Sequence, residues 1–241
     1  HYALARLGCY AARQGRRARK AIQGPDAVAF ETAAATMLEG LTVQYLRRQT
    51  WPVKAGETIL FHAAAGGVGL TAVEIGKSLG ATVIAAAGSA EKLKVCQQYG
   101  ADHLIDYSTE DIRDRVKEIT DGKGADVIFD PVGGDAFDAA MRSIAWEGRL
   151  LVIGFASGRV SQAKANIVLV KNISVVGFYW GSYNFKKPQV VMKSMQTLLQ
   201  WYTDGKIKPH ISHTLPMEQA GDALQMMMAR KSTGKVVLTM D

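Results

Sequence analysis

The stretch FHAAAGGVGL, residues 61–70, sets three alanines and three glycines within seven consecutive positions. Such residues add little to a core, and glycine costs backbone entropy. What they offer is bare backbone. Where a helix opens, its first amides have no intrahelical partner and its dipole makes that end positive. An anion docks there if no Cβ holds it off. Gly66, Gly67 and Gly69 remove that obstacle, and Gly69 also lets the helix pack on the preceding strand. The pattern AxxGxxG (Ala63, Gly66, Gly69) is a looser form of the turn that carries a dinucleotide pyrophosphate. The string alone would also suit a tight turn with no ligand.

A second group of residues bears on which dinucleotide. An NAD site places a carboxylate about 20 residues past the glycines, on the adenosine ribose. Here that position reads AAAGSAEK, 85–92, with no acid at Ala87, Gly88 or Ser89. Ser89 offers a hydroxyl, and Lys92 lies one turn on, able to reach back as a point charge. A carboxylate would repel a 2′-phosphate and this arrangement would accept it, so NADPH is favoured over NADH. Glu91 is expected to point outward. Lys92 could equally be an ordinary exposed helix lysine.

These residues need elements to hold them. Short apolar runs at 58–63, 82–88, 103–107, 125–130 and 148–154 alternate with helical patterns at 69–80, 89–100, 109–120 and 134–145. Ser89 and Thr109 read as N-caps, and Gly80 and Gly100 as C-terminal stops. The alternation predicts an α/β fold: a Rossmann, doubly wound, parallel six-stranded sheet with helices on both faces. The sixth strand is expected at 173–180. A helix over 188–205 places Val191, Met195, Leu198, Leu199 and Tyr202 on one face. Another helix spans 217–234, with Met226–Met228 read as core, and 235–240 closes the chain as a strand. A strong helical pattern covers 30–50, whereas 1–29 shows no convincing period.

Composition sets bounds. The 241 residues are 48% hydrophobic, enough for a full core. No apolar run is long enough to span a bilayer, and no secretory signal is evident. Cys9 and Cys96 fit no zinc or redox motif and read as free thiols, pointing to the cytoplasm. The net charge of +7 comes largely from RQGRRARK, 13–20. No aromatic residues interleave with that run, so it reads as solvated rather than as a nucleic-acid surface.

Together, KAGETILFHAAAGGVGL (54–70), GSAEK (88–92), ADHLIDY (101–107), VIFDPVGGD (127–135), GRLLVIGFASG (148–158) and the closing TGKVVL (233–238) resemble the medium-chain dehydrogenase/reductase superfamily. Within it they are similar to the zinc-free NADPH:quinone oxidoreductase branch, the zeta-crystallin-like proteins. The resemblance implies a pyrophosphate on Ala65, Gly66, Gly67 and Val68, and a 2′-phosphate at Gly88, Ser89 and Lys92. It places Tyr107 by the adenosine and brings the cation of Arg230 toward the phosphates. Val132 and Gly133 would flank the cofactor. Gly154, Phe155, Ala156 and Ser157 would line the nicotinamide side, with Phe178, Tyr179 and Trp180 continuing that wall. Those aromatics suit core packing as well. Tyr45 would reach the nicotinamide ribose or the substrate.

The resemblance also implies hydride transfer to a quinone or electron-poor enone without zinc, two cysteines being too few for the usual zinc sites. A homodimer through the edge of the sixth strand is expected. A 2-enoyl thioester reductase, or a non-catalytic NADPH-binding module of crystallin-like or RNA-associated type, are the alternatives. A GroES-like domain would precede the Rossmann domain. Here GCY (8–10) alone echoes it, and 13–24 is basic and not strand-like. The domains are expected at 1–29 (a remnant or disordered lead-in), 30–212 (dinucleotide-binding) and 213–241 (a helix and strand returning to the catalytic side).

Overall fold

The structure, a computed structural model, describes residues 2–3, 21–22, 28–48 and 52–240. Cys9, GCY and the basic run 13–20 lie outside the described residues, as does the side chain of Tyr45. Two short strands, β1 (Tyr2–Ala3) and β2 (Ala21–Ile22), pair antiparallel. The expectation that 13–24 holds no strand fails at Ala21–Ile22.

The main sheet is six-stranded and parallel. It comprises β3 (Thr58–Phe61), β4 (Thr82–Ala87), β5 (His103–Asp106), β6 (Ala125–Asp130), β7 (Ile144–Val152) and β8 (Ser174–Gly177). Their spatial order is β5-β4-β3-β6-β7-β8, the order of a doubly wound Rossmann sheet. Chain order runs outward from β3 to β5, then returns to β6 beside β3. The strand order therefore reverses between β3 and β6, and in sheets of this kind the ligand crevice lies there, at the strands' carboxyl ends.

Period-two alternation splits the core between two faces. Ile59, Phe61, Val83, Ala85, Val127 and Phe129 face one cluster, which α1 (Phe30–Arg48), α2 (Gly67–Ser78), α3 (Ala90–Gln98) and α8 (Pro188–Thr203) cover. Leu60, Ile84, Ala86, Ile128 and Leu150 face the other, under α4 (Ile112–Ile119), α5 (Gly134–Ser143) and α6 (Ala165–Lys171). In α8, Val191, Met195, Leu198 and Leu199 are buried as expected, and Tyr202 is half-buried. At the opposite end from the crevice, Arg149 grips Glu57 through two hydrogen bonds of 2.9 and 2.7 Å, binding β7 to the chain that enters β3.

Glycine stops hold where the sequence puts them. Gly80 (φ 78°) ends α2 and Gly100 (φ 100°) ends α3. In each, the glycine N–H bonds the carbonyl three residues back, Lys77 or Gln97, and the next N–H bonds Gly76 or Cys96. The cap of α4 is corrected: Asp111, not Thr109, accepts the amide of Asp114 at 3.0 Å. Residues 106–109 are held instead in a turn, whose Asp106 side chain accepts the Ser108 amide and hydroxyl.

The C-terminal part departs further. A 3-10 turn over Met217–Gln219 leads into α9, which covers only Ala220–Met228. Arg230 (φ 55°) ends it, with Arg230 and Lys231 amides bonding Met227 and Met226 carbonyls. The core reading of Met226–Met228 is corrected too. Met227 is 56% and Met228 84% exposed, because α9 buries only its Ala223 face. The sixth strand is shorter than expected: the Phe178 amide still bonds the Val152 carbonyl, but Tyr179 and Trp180 leave the ladder into a 3-10 turn at Trp180–Ser182 and α7 (Tyr183–Lys186). A strand absent from the sequence reading, β9 (Ile211–Pro216), pairs parallel with β10 (Lys235–Thr239). No described helix is long and apolar enough to cross a membrane.

Candidate functional site

The glycine elbow joins β3 to α2 at the crevice. Gly66 is the N-cap of α2, with no side-chain cap and no acid in the first turn. Helices α3 and α4, by contrast, are capped by Ser89 and Asp111. The α2 amides are thus left without a side-chain acceptor of their own. The glycines divide the work. A Cβ on Gly69 would lie 2.5 Å from the Ala64 carbonyl oxygen, so this glycine lets helix and turn pack. A Cβ on Gly66 would meet nothing nearer than the Ala63 oxygen at 3.4 Å. Packing tolerates a side chain there, so the bareness of Gly66 serves the exposed side of the elbow. Ala63, the first position of the pattern, sits at φ 50°, where a glycine would be unstrained. Ala65 is buried; Gly67 and Val68 are half-buried.

A second cluster forms where β4 and β5 end. The Tyr107 ring lies against Gly88, where a Cβ would come within 3.0 Å of it. Ser89 caps α3, accepting the Lys92 amide at 3.4 Å. The Lys92 Nζ donates to the Arg230 carbonyl at 2.7 Å. An ammonium has three donors, so it retains two. That bond also draws Arg230 to this cluster. Glu91 is exposed, yet it does not simply point outward: its carboxylate accepts its own amide and the Ser89 hydroxyl, which hold its pKa below the ordinary value.

The third cluster lies where β6 and β7 end. The amides of Ala156 and Ser157 donate to the carbonyls of Pro131 and Val132 at 3.1 and 2.9 Å. A Cβ on Gly133 would lie 3.1 Å from the Phe155 ring, and one on Gly154 3.2 Å from the Pro131 oxygen. Val132, Gly133 and Gly154–Ser157 are therefore gathered together. Phe178 is core, 5% exposed, with its ring 5.7 Å from that of Tyr183. Trp180 stacks on Tyr183 at 6.3 Å, and Tyr179 is 71% exposed. Phe178 follows the core-packing alternative, and the half-buried Trp180 packs against the same core.

Three features escaped the sequence reading. His62 and Asp130 form a buried pair, Nδ1 to Oδ1 at 3.3 Å. Gly234 bridges to Gly66, donating its amide to the Ala65 carbonyl at 2.7 Å, which seats the start of β10 on the elbow. Glu74 of α2 accepts the Lys208 amide at 3.1 Å, and burial pushes its carboxyl up to about 7. A polar residue closing an apolar strand was the available signal for His62 and Asp130. For Gly234 and Glu74 the sequence carries none.

An apolar pocket between α1, α2 and the sheet, lined by Val43, Ile59, Ala72 and Phe129 among others, has no polar group to hold a phosphate. The Cys96 thiol is buried and pushed up to about 12 by desolvation, so it is not a nucleophile. Among the described residues, no three His, Cys, Asp or Glu side chains gather as metal donors would.

Comparison with known proteins agrees with this geometry. The sequence profile of a family described as zinc-binding dehydrogenase matches residues 67–200. The quinone oxidoreductase of Pseudomonas aeruginosa is 40% identical over 238 residues, 98% of this chain and 73% of that protein. A quinone oxidoreductase-like protein 2 homolog of Nematostella vectensis is 41% identical over 215 residues, 89% of this chain. The chain spans 59% of that relative's length. The crystal structure of Escherichia coli quinone oxidoreductase complexed with NADPH superposes with a TM-score of 0.85 at 34% identity, over 92% of this chain and 68% of that one. The uncapped glycine elbow at the sheet's reversal point and these similarities identify the chain as a member of the medium-chain dehydrogenase/reductase superfamily, in its quinone oxidoreductase branch.

Proposed function

We propose that this chain forms the NADPH-holding part of an oxidoreductase that passes hydride to a quinone or another electron-poor enone without zinc. One observation carries the cofactor reading: β4 ends at Ala87, no carboxylate stands at Ala87, Gly88 or Ser89, and the cation Lys92 lies in the first turn of α3. The residues present fit the group. The α2 N-terminus has neither cap nor acid, and the Gly66 position is open to a close approach. A relative that superposes on this chain was crystallised with NADPH.

When bound, the reduced nicotinamide ring supplies the hydride, and the protein supplies binding and orientation. The first-turn amides at Gly67 and Val68 would hold the pyrophosphate against the positive end of α2, the Gly66 amide being taken by the Ala63 carbonyl at 3.1 Å. The Ser89 hydroxyl and Lys92 take the 2′-phosphate, with Arg230 adding charge from the loop before β10. Tyr107 covers the adenosine. Val132, Gly133 and Gly154–Ser157 wall the nicotinamide side. Tyr179 and Trp180 continue the nicotinamide wall, and Tyr45 reaches the nicotinamide ribose or the substrate. The zinc-free reading rests on the scarcity of cysteine, two in all. A homodimer through β8 is part of the proposal. Among the described residues strand β8 pairs only with β7, and Leu169 and Val170 of the neighbouring α6 are 75% and 71% exposed.

Fluorescence titration with NADPH and NADH tests the cofactor reading. NADPH should bind more tightly, and Lys92→Met should weaken NADPH about tenfold while leaving NADH nearly unchanged. Equal affinity for the two would refute the assignment. Stopped-flow oxidation of NADPH by a simple quinone tests the activity. Binding without turnover on any quinone or enone would favour a binding module instead. A monomer on a sizing column would remove the dimer.

A further inference from the structure

The crevice between β3 and β6 has a floor of unusual chemistry. These strands pair in register through Phe61 and Phe129, and the His62 amide continues the ladder to the Phe129 carbonyl at 3.1 Å. One residue further on, each strand ends in a polar side chain, and both are almost wholly buried: His62 is 2% and Asp130 0% exposed. Desolvating such groups is unfavourable unless hydrogen bonds compensate.

Asp130 is richly bonded. Its Oδ1 accepts the Val132 amide at 2.9 Å, the Gly133 amide at 3.0 Å and the His62 ring at 3.3 Å. Its Oδ2 lies 3.2 Å from the same Gly133 nitrogen. A carboxylate only accepts, so the proton between the two side chains belongs to His62 Nδ1. With both loop amides turned inward, the carbonyls of Pro131 and Val132 face the other way, where they receive Ala156 and Ser157. One carboxylate thus sets the conformation of the 131–134 loop and, through it, the seat of the 154–157 loop.

His62 is the other half. It directly precedes the glycine elbow, and its side chain is the last cross-link between β3 and β6 before their loops diverge around α2 and α5. Its second nitrogen, Nε2, is buried and has no partner among the described residues. An apolar residue would pack there without leaving a polar atom unsatisfied. The pair is therefore not explained by packing.

We infer that His62 and Asp130 act as positioning residues, a clamp that fixes the distance between the two glycine loops and so presets the crevice for the cofactor. This rests on the dinucleotide reading above, but the clamp can be tested apart from it. Backbone amide exchange at Val132 and Gly133 reports the clamp with no cofactor present. His62→Leu removes the ring nitrogens, and His62→Asn keeps a donor near the Nδ1 position. Asp130→Asn keeps the shape and removes the charge.

Exchange at Val132 and Gly133 should speed up about tenfold or more in His62→Leu and Asp130→Asn, and return close to wild type in His62→Asn. NADPH Kd, read by fluorescence, should rise about tenfold in the first two and stay within about threefold in the third. If His62→Leu does not fold, Asp130→Asn and His62→Asn carry the comparison. Unchanged exchange in Asp130→Asn, or His62→Asn behaving like His62→Leu, overturns the clamp. Wild-type protein that fails to bind NADPH while the exchange pattern holds would overturn the cofactor reading and leave the clamp standing.

Discussion

Glu74 gives the sharpest test of the energetics. It lies on α2, half-buried, and accepts the Lys208 amide that leads toward β9. Burial raises its carboxyl from 4.5 to about 7, outweighing that hydrogen bond and the nearby Lys208 charge. The folded state therefore holds a proton that the unfolded chain releases near 4.5. This group's contribution to stability is greatest below about 4.5 and is lost as pH rises through about 7. At 1.36 kcal/mol per pH unit the span would be about 3.4 kcal/mol, and solvent screening of a partly exposed carboxyl reduces it to about 1–2 kcal/mol. Glu74→Gln keeps an acceptor for Lys208 and removes the charge. At pH 8 and above the variant should be more stable than wild type by about 1–2 kcal/mol, or about 2–8 °C in Tm for a chain of this size. Near pH 4.5 the two should coincide. Urea or thermal melts across that range would measure it. Parallel stability curves at all pH values would refute the reasoning.

Two further outcomes follow from the same geometry. Gly69→Ala should cost about 3 kcal/mol or more, because its Cβ would strike the Ala63 and Ala64 carbonyls, whereas Gly66→Ala should stay within about 1 kcal/mol. Gly66→Ala should nonetheless weaken NADPH about tenfold or more; thermal melts paired with titrations separate the two effects, and equal stability losses would contradict the division of roles. In a Cys9→Ser background, Cys96 should ignore a thiol reagent at pH 8 until urea unfolds the chain, since its thiol is buried and pushed up to about 12. Prompt labelling of the native protein would show that α3 opens locally.

Much of the site was legible because it is local. The elbow, the Ser89 cap and the stops at Gly80 and Gly100 are each written in a few adjacent residues, and each stands where its chemistry places it. Misreadings arose where a local rule had a competitor. Thr109 is a good cap, but Asp111 follows two residues later and the Asp106 turn claims the intervening chain. Gly234 looked like the end of a helix that Arg230 had already stopped. Methionines at helical spacing read as core, yet α9 shows most of them to solvent.

The sequence by itself determined the alternation of strands and helices, the bare elbow and the missing carboxylate after β4, since these depend on backbone preferences and side-chain chemistry over a turn or two. The tertiary structure alone decided what those pieces meet. His62 finds Asp130 across 68 residues, and Lys92 finds the Arg230 carbonyl across 138. Periodicity says which face of a strand is buried. Only the order and register of the strands in the folded sheet say which buried polar group lies opposite which.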